Sequence, residues 1–171
     1  LKRIKLLKEK AQLTYEEWFV RMKFPGHKTT PINEETGLPE GWENLQLKEI
    51  ASFKYGKMPK KDKIVESGNP IYSGYRITGN YSEVMFPNPT LIVVARGVGG
   101  TGDVKITPPK CWLTNLSIAI LSNKKTIQNY LYYLLKDSNL RTLDSGAAQS
   151  QITIGSLENI KINLASLDVQ R

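Results

Sequence analysis

The clearest chemical pattern in this sequence is a glycine cluster in the middle of the chain. Gly97, Gly99 and Gly102 match the G-x-G-x-x-G spacing of loops that bind dinucleotides. Such a loop must open a helix whose N-terminal amides hold the pyrophosphate. Here residues 103–107 instead alternate like a strand and run into two prolines. The pattern therefore predicts a hairpin loop rather than a nucleotide site.

A second chemical pattern follows the cluster directly. Asp103, Val104 and Lys105 copy the second half of a nuclease signature, in which a carboxylate holds a metal and a lysine orients the attacking water. Such a site needs another carboxylate on a neighbouring strand, and Glu83 is the acid that lies near in sequence. A metal-dependent nuclease domain is therefore one alternative, and a plain hairpin edge is the other.

Several other chemistries lack the residues they need. His27 is the only histidine and Cys111 the only cysteine, so we expect no zinc site, no histidine-based triad and no internal disulfide. We also expect no cofactor in this chain. A single cysteine fits a reducing cytoplasm, and no apolar run approaches the length of a membrane span. These features predict a soluble cytoplasmic protein.

Positive charge is the strongest functional signal. The net charge is +8 and the isoelectric point is near 9.5. Within ten residues that hold a single acid, five lysines occur: Lys54, Lys57, Lys60, Lys61 and Lys63. The last four of these, which we call the lysine cluster, are assigned to the phosphates of a polyanion, because a polyanion is the natural partner of such a patch. A solvated lysine face without a partner is the alternative.

Two further segments carry side chains suited to reading bases. Residues 91–95 form an unbroken apolar run, typical of a strand buried on both faces, and Arg96 follows it directly. Residues 145–151, which we call the amide loop, are small and uncharged and include Gln149 and Gln151. Glutamine amides are suited to bidentate hydrogen bonds with adenine edges in a major groove, and an arginine that reaches guanine O6 and N7 reads that base in the same way. A plain solvated turn is the alternative for the amide loop.

The elements that must position these residues begin with an amphipathic helix. Apolar residues recur at spacings of three and four from Leu1 to about Met22. They are Ile4, Leu7, Ala11, Tyr15, Trp18 and Met22. Because the sequence begins without a helix cap, we expect the tail of a longer coiled-coil helix. An ordinary helix packed on its own domain is the alternative.

Short strands and helices alternate along the rest of the chain, which predicts an α+β fold with a mixed β-sheet. A polar stretch over 24–41 is typical of a linker, and the domain begins at Trp42. We expect strands over 70–72, 75–81, 91–95, 103–107 and 160–164, and one over 112–121 that pairs with 91–95. Helices are expected over 127–136, capped by Thr126, and after Ser166.

In this order the segments resemble the specificity subunit of type I DNA restriction-modification enzymes over nearly the whole chain. The resemblance rests on residues 15–27 (YEEWFVRMKFPGH), 37–43 (GLPEGWE), the strand ending in Arg96-Gly97, 130–135 (YLYYLL) and 146–155 (GAAQSQITIG). In that family a target-recognition domain lies between conserved helices. The resemblance implies the end of a spacer helix (1–23), a linker (24–41), a target-recognition domain (42–165) and the start of the next helix (166–171).

The resemblance also implies a DNA-binding subunit that catalyses no reaction itself. In this family, partner methyltransferase subunits bind S-adenosylmethionine and methylate adenine, a separate restriction subunit cleaves, and the conserved helices dock the methyltransferase. The expected partners are double-stranded DNA and these subunits, with neither a membrane nor a small-molecule substrate. The candidate DNA-binding residues are Lys57, Lys60, Lys61, Lys63, Tyr75, Arg76, Arg96, Lys105, Gln149, Ser150 and Gln151. The candidate partner-binding residues are Ile4, Leu7, Ala11, Tyr15 and Trp18.

A protein-interaction module is the remaining alternative. In that case the helices assemble a protein complex and the β domain only supports them. Changes in the lysine cluster would then leave assembly intact and alter nothing else.

Overall fold

The computed structural model describes residues 2–97, 99–143 and 151–171. Its helices are α1 (Lys2–Tyr15), α2 (Gln128–Asp137), α3 (Ile154–Glu158) and α4 (Leu167–Gln170). Its strands are β1 (Glu43–Gln46), β2 (Ala51–Tyr55), β3 (Ile64–Val65), β4 (Asn69–Ser73), β5 (Arg76–Tyr81), β6 (Leu91–Val94), β7 (Val104–Ile106), β8 (Trp112–Leu113), β9 (Ser117–Ser122) and β10 (Lys161–Leu164). None of the helices in these ranges is long and apolar enough to cross a lipid bilayer.

The central sheet confirms the predicted buried strand. Its strand order is β2-β9-β6-β7, and all neighbours are antiparallel. The residues of β6 are fully buried and alternate between two cores. Leu91 and Val93 join the larger core with α2, whereas Ile92 joins a smaller core with Phe86 and Cys111. A strand with a core on each face needs an apolar residue at every position, which explains the unbroken run.

A second sheet, ordered β3-β5-β4-β8, confirms the strands predicted near residues 70–72 and 75–81. It is antiparallel except for the parallel pair of β4 and β8. The prediction of one strand over residues 112–121 was wrong. A turn divides this segment, because the Ser117 N–H donates to the Thr114 carbonyl at 3.2 Å. As a result β8 pairs with β4, and only β9 pairs with β6.

Backbones pass very close to each other where the two sheets meet. The Gly56 N–H donates to the Ser117 carbonyl at 3.1 Å, and the Lys57 N–H donates to the Leu113 carbonyl at 2.8 Å. A Cβ atom built on Gly56 would lie 2.1 Å from the carbonyl oxygen of Thr114. Only glycine therefore fits at this joint between β2 and the segment that links β8 to β9.

Helix α2 confirms the predicted helix near residues 127–136, but not its predicted cap. Its buried leucines are Leu131, Leu134 and Leu135. Thr126 does not cap the helix, because its hydroxyl donates to Oε1 of Gln170 at 3.0 Å. The Ile127 N–H donates to the same oxygen at 3.1 Å. A buried amide from α4 therefore satisfies the helix N-terminus in place of a local side chain.

Helix α1 is attached to the domain through its C-terminal end. After Tyr15 it continues as a π-helical turn over Glu16–Val20, so the predicted helix is confirmed as far as Val20. Tyr15 is only 8% exposed, and the ring centroids of Phe19 and Tyr130 lie 4.7 Å apart. Residues 2–10 are all exposed. The described helix has 14 residues, and the long spacer helix stays a prediction.

The polar stretch after this helix packs on the domain through its apolar residues. Phe24 and Leu38 are buried in the larger core, next to Trp42. Ile32 and Pro39 form an antiparallel bridge that closes the stretch into a loop. The segment thus connects α1 to β1 along the domain surface.

Two buried tyrosines make folding sensitive to alkaline pH. Burial raises the pKa of Tyr130 from 10.0 to about 12 and raises the pKa of Tyr15 as well. Between pH 10.0 and about 12 the unfolded chain loses the Tyr130 proton that the folded chain keeps. The free energy of unfolding therefore falls as pH rises through this range. Below pH 10.0 this contribution is fully present.

We expect Tyr130→Phe to weaken this fall by about 2 kcal/mol across the window. Urea unfolding at several pH values between 10.0 and about 12 measures the slope. Tyr75→Phe removes a hydroxyl from an exposed ring and is the control for the substitution itself. Equal slopes in the parent and in Tyr130→Phe would contradict the expectation.

Candidate nucleic-acid interface

The glycine cluster forms the loop of the hairpin between β6 and β7. The Val94 N–H donates to the Asp103 carbonyl, and the Gly102 N–H donates to the Val94 carbonyl, both at 2.9 Å. Gly99 and Gly102 have φ values of +78° and +90°, which side chains rarely tolerate. A strand rather than a helix follows this loop, so the predicted hairpin is confirmed. Arg96 is exposed where the loop begins.

A second hairpin turn packs against the glycine loop. Gly74 and Tyr75 form the turn between β4 and β5, and Arg76 is the first residue of β5. A Cβ atom on Gly100 would lie 3.5 Å from the Tyr75 ring, so that ring lies against the loop backbone. Tyr75 is 55% exposed, and Arg76 is exposed as well. The two turns lie side by side and carry Tyr75, Arg76 and Arg96, and we call this region the hairpin end.

Backbone pairing adds Gln151 to the hairpin end. The Ile152 N–H donates to the Ala95 carbonyl at 2.9 Å, which places Gln151 beside the end of the central strand. Gln149 and Ser150 lie outside the described residues. Of the candidates in the amide loop, Gln151 is therefore the one that can be placed.

Sequence reasoning missed the residue that holds the glycine loop. Arg141 lies in a 3-10 turn over Leu140–Leu143 and donates from Nη2 to the Gly99 carbonyl at 3.3 Å and to Oδ1 of Asp103 at 3.0 Å. A Cβ atom on Gly102 would lie 2.8 Å from the Arg141 backbone nitrogen. Arg141 and Asp103 are 38 positions apart, so no local pattern signals this contact.

The carboxylates of the nuclease alternative are used in ion pairs. Asp103 pairs with Arg141 and also lies 3.7 Å from Nζ of Lys105. Glu83 pairs with Lys63 instead. Within the part of the chain that the structure describes, no group of three metal-ligating His, Cys, Asp or Glu residues occurs. Glu83, the second carboxylate that this alternative proposed, is thus paired with Lys63 of the lysine cluster.

Three members of the lysine cluster, Lys60, Lys61 and Lys63, lie apart from the hairpin end. Their segment crosses the second sheet at the far end of β5, where the Lys60 N–H donates to the Tyr81 hydroxyl at 3.2 Å. Nearby, Nε1 of Trp112 donates to the Lys57 carbonyl at 2.9 Å. Arg76 and Tyr81 are the two ends of β5, which places them about 17 Å apart at ~3.3 Å per residue. The candidate interface therefore has two separate basic surfaces.

Lys63 differs from the other members of the cluster. Its ammonium forms an ion pair with Glu83, 20 positions further along the chain. The hydrogen bond to Glu83 raises the pKa of Lys63. In the sequence, Asp62 is the only acid near these lysines. In the structure, the pairing of β3 with β5 brings Glu83 next to Lys63 as well. Because its charge already has a partner, Lys63 has less to gain from a phosphate than the exposed lysines.

Lys105 lies on a different side of the domain. It is in the edge strand β7 and shares a groove with Lys8 of α1 and Lys136 of α2. The hairpin end, the lysine cluster and this groove thus divide the predicted DNA-binding residues among three places.

The predicted partner-binding residues fall into two groups. Ile4 and Leu7 are each 58% exposed, and Ala11 and Trp18 are half-buried. Tyr15 is buried in the domain itself, since its ring lies about 6 Å from the rings of Tyr130 and Tyr133. The exposed apolar surface of α1 therefore lies toward its N-terminal half.

The α+β architecture matches that of solved type I restriction-modification S subunits. Residues 39–171 match the family described as the type I restriction modification DNA specificity domain. Because this match spans most of the sequence, the chain belongs to that family. It is therefore a specificity domain and not a catalytic one. A search of curated proteins finds no significant match.

Solved structures support the fold assignment. The S subunit from M. genitalium is 20% identical, with a TM-score of 0.61, over 71% of this chain and 34% of that one. The HsdS subunit from Thermoanaerobacter tengcongensis is 22% identical, with a TM-score of 0.65, over 99% of this chain and 41% of that one. A structure addressing complex assembly and conformational transition of the type I R-M system is 21% identical, with a TM-score of 0.67. The similarity covers 99% of this chain and 45% of that one. This chain spans less than half the length of each of these proteins.

Proposed function

We propose that this chain is a target-recognition domain that reads a duplex DNA sequence with its hairpin end. The observation that carries the proposal is that three separate segments, which carry Tyr75 and Arg76, Arg96, and Gln151, lie next to one another at the hairpin end. Two arginines, an amide and an exposed aromatic ring are side chains that hydrogen-bond to base edges and pack on bases. The lysine cluster then holds phosphates at a distance from the reading site.

The proposal extends to the assembly that the chain serves. Within a specificity subunit, the domain (42–165) would direct methyltransferase and restriction subunits to the target site. The exposed apolar side chains of Ile4 and Leu7 on α1 are the surface offered to the methyltransferase subunit or to a coiled-coil helix. The flanking segments 1–23, 24–41 and 166–171 supply the helices and the connection.

Selection of bound duplexes from a randomised pool tests the reading of sequence. The chain is incubated with the pool at two salt concentrations, and the bound DNA is sequenced. Enrichment of one short motif at both concentrations is the expected result. Salt-sensitive binding without a motif would reduce the function to charge alone and overturn the proposal.

The members of the lysine cluster are expected to differ in their effect on salt dependence. Lys60→Ala and Lys61→Ala should each weaken binding to all duplexes alike and flatten the slope of log K against log salt by about 0.9. Lys63→Ala should change the slope less, because Glu83 already neutralises that ammonium. Titrations at several salt concentrations measure the slopes. Three equal changes would contradict the role given to Glu83.

A further inference from the structure

A basic groove lies between α1, α2 and the outer edge of β7. Its volume is about 540 Å³. Three lysines from distant parts of the chain line it, together with two tyrosines and an asparagine: Lys8, Lys105, Lys136, Tyr132, Tyr133 and Asn129. Ammonium, phenol and amide groups are the donors that proteins use to contact phosphate oxygens.

Two of the three lysines have no acidic partner among the described residues. No acidic residue lines the groove, and neither Lys8 nor Lys136 forms an ion pair with any residue that the structure describes. Nζ of Lys136 donates instead to Oε1 of Gln12 at 3.1 Å and lies 5.8 Å from the centre of the Tyr132 ring. The neutral groups of α1 and α2 thus hold this ammonium at the groove without neutralising its charge.

The third lysine is only partly neutralised. Nζ of Lys105 lies 3.7 Å from Asp103, but that carboxylate lies closer to Arg141, at 3.0 Å. One carboxylate therefore serves two cations. Lysines that share a groove repel one another, and a bound anion would relieve this repulsion.

The groove continues toward the hairpin end. Lys105 and Lys136 also line a smaller cavity of about 180 Å³, together with Gly102, Arg141 and Asp103, the carboxylate that is shared by Arg141 and Lys105. Gly102 belongs to the glycine loop, and Arg141 holds that loop in place. The basic surface therefore extends from the loop that follows Arg96, along β7, to helix α1.

We propose that this groove binds backbone phosphates of DNA that flanks the target sequence. The proposal rests on the proposed function, in which bases are read at the hairpin end. DNA is favoured over an acidic protein segment because the smaller cavity leads from the groove to the glycine loop. A duplex read at that loop has further phosphates beyond the target, with one charge per ~1.7 Å of helix axis.

Duplex length separates this groove from the reading site. A variant with Lys8→Gln, Lys105→Gln and Lys136→Gln removes three charges and keeps hydrogen-bonding side chains. The control variant removes three exposed lysines elsewhere, with Lys28→Gln, Lys48→Gln and Lys161→Gln. Both variants are titrated with the selected motif, once in a duplex that ends at the motif and once in a duplex extended on both sides. Circular dichroism and urea unfolding verify that both variants fold.

On the extended duplex we expect the groove variant to bind at least tenfold more weakly, with a salt slope flatter by about two to three. On the short duplex it should bind like the control variant. Equal losses on both duplexes, or losses no greater than those of the control, would overturn the proposal. If the groove binds an acidic protein segment instead, both duplexes bind as before and only poly-glutamate binding weakens. If the parent chain shows no preference for any motif, the proposed function fails rather than the groove.

Discussion

Gly56→Ala is expected to destabilise the fold by about 3 kcal/mol or more. The new Cβ atom would lie 2.1 Å from the carbonyl oxygen of Thr114 and 2.6 Å from that of Leu113. Both atoms belong to backbone, so no flexible side chain can move aside. The Gly56 N–H bond to the Ser117 carbonyl fixes the strand at this distance. The two sheets would have to separate, which also shifts the segment that carries the lysine cluster.

Gly79→Ala is the matched control for this substitution. Gly79 lies inside β5, and its added Cβ would meet the side chain of Ile71 at 3.7 Å, an ordinary van der Waals contact. Urea unfolding of both variants gives the free energies of unfolding. We expect a large loss for Gly56→Ala and little change for Gly79→Ala. Comparable midpoints for the two variants would show that the joint between the sheets yields more easily than its geometry implies.

Arg96→Ala is expected to abolish the preference for one base pair of the target. A bidentate arginine contributes about 1–3 kcal/mol of discrimination, which corresponds to roughly 5- to 150-fold in relative affinity. Arg96 lies at the end of a strand whose residues are fully buried, so its backbone is held by the core. Binding to unrelated duplexes should fall much less. On those duplexes the substitution removes only one positive charge near the phosphates and no contact to a base.

Competition between the selected motif and its single-base variants measures this effect. Arg3→Ala removes the same charge from the exposed part of α1 and serves as the control. Arg96→Lys should recover part of the preference, since lysine donates to the same guanine atoms without the bidentate fork. A loss of equal size on every sequence would assign Arg96 to the backbone rather than to a base.

The parts of this fold that sequence predicts are those that local patterns determine. The apolar run 91–94 identifies the central strand because a strand between two cores has no polar position. Apolar and polar residues alternate over 103–107, which predicts a second strand after the apolar run. The glycine cluster between the two strands is therefore predicted to be a hairpin loop, and the structure confirms this. The leucines of α2 predict its buried face in the same way.

The parts that sequence does not predict depend on contacts between distant residues. The sequence predicts that Thr126 caps helix α2. Instead its hydroxyl donates a hydrogen bond to the side chain of Gln170, 44 positions away, and that side chain satisfies the helix N-terminus. The run 112–121 looks like one strand because apolarity does not reveal a change of sheet. The packing of Tyr75 on Gly100 likewise has no local signal.

The candidate site follows the same division. Charge alone identifies the lysine cluster, but only the fold brings Glu83 to Lys63 and so sets that lysine apart. Composition suggests Lys105 as a DNA contact, whereas the structure moves it to a groove with Lys8 and Lys136. Tertiary structure therefore decides which cations act together.

The pairing of β1 with β10 brings the two ends of the domain together. Glu43 lies opposite Leu164, and the side chains of Asn44 and Asn163 are joined by a hydrogen bond of 2.7 Å. The chain thus enters and leaves the domain at adjacent points, about 5 Å apart in such a ladder. Residues between these strands that contact neither flanking helix can change in sequence without moving those helices, whereas Tyr130 and Thr126 are tied to the α1 segment and to α4. A change confined to the loops then leaves the scaffold that carries them in place.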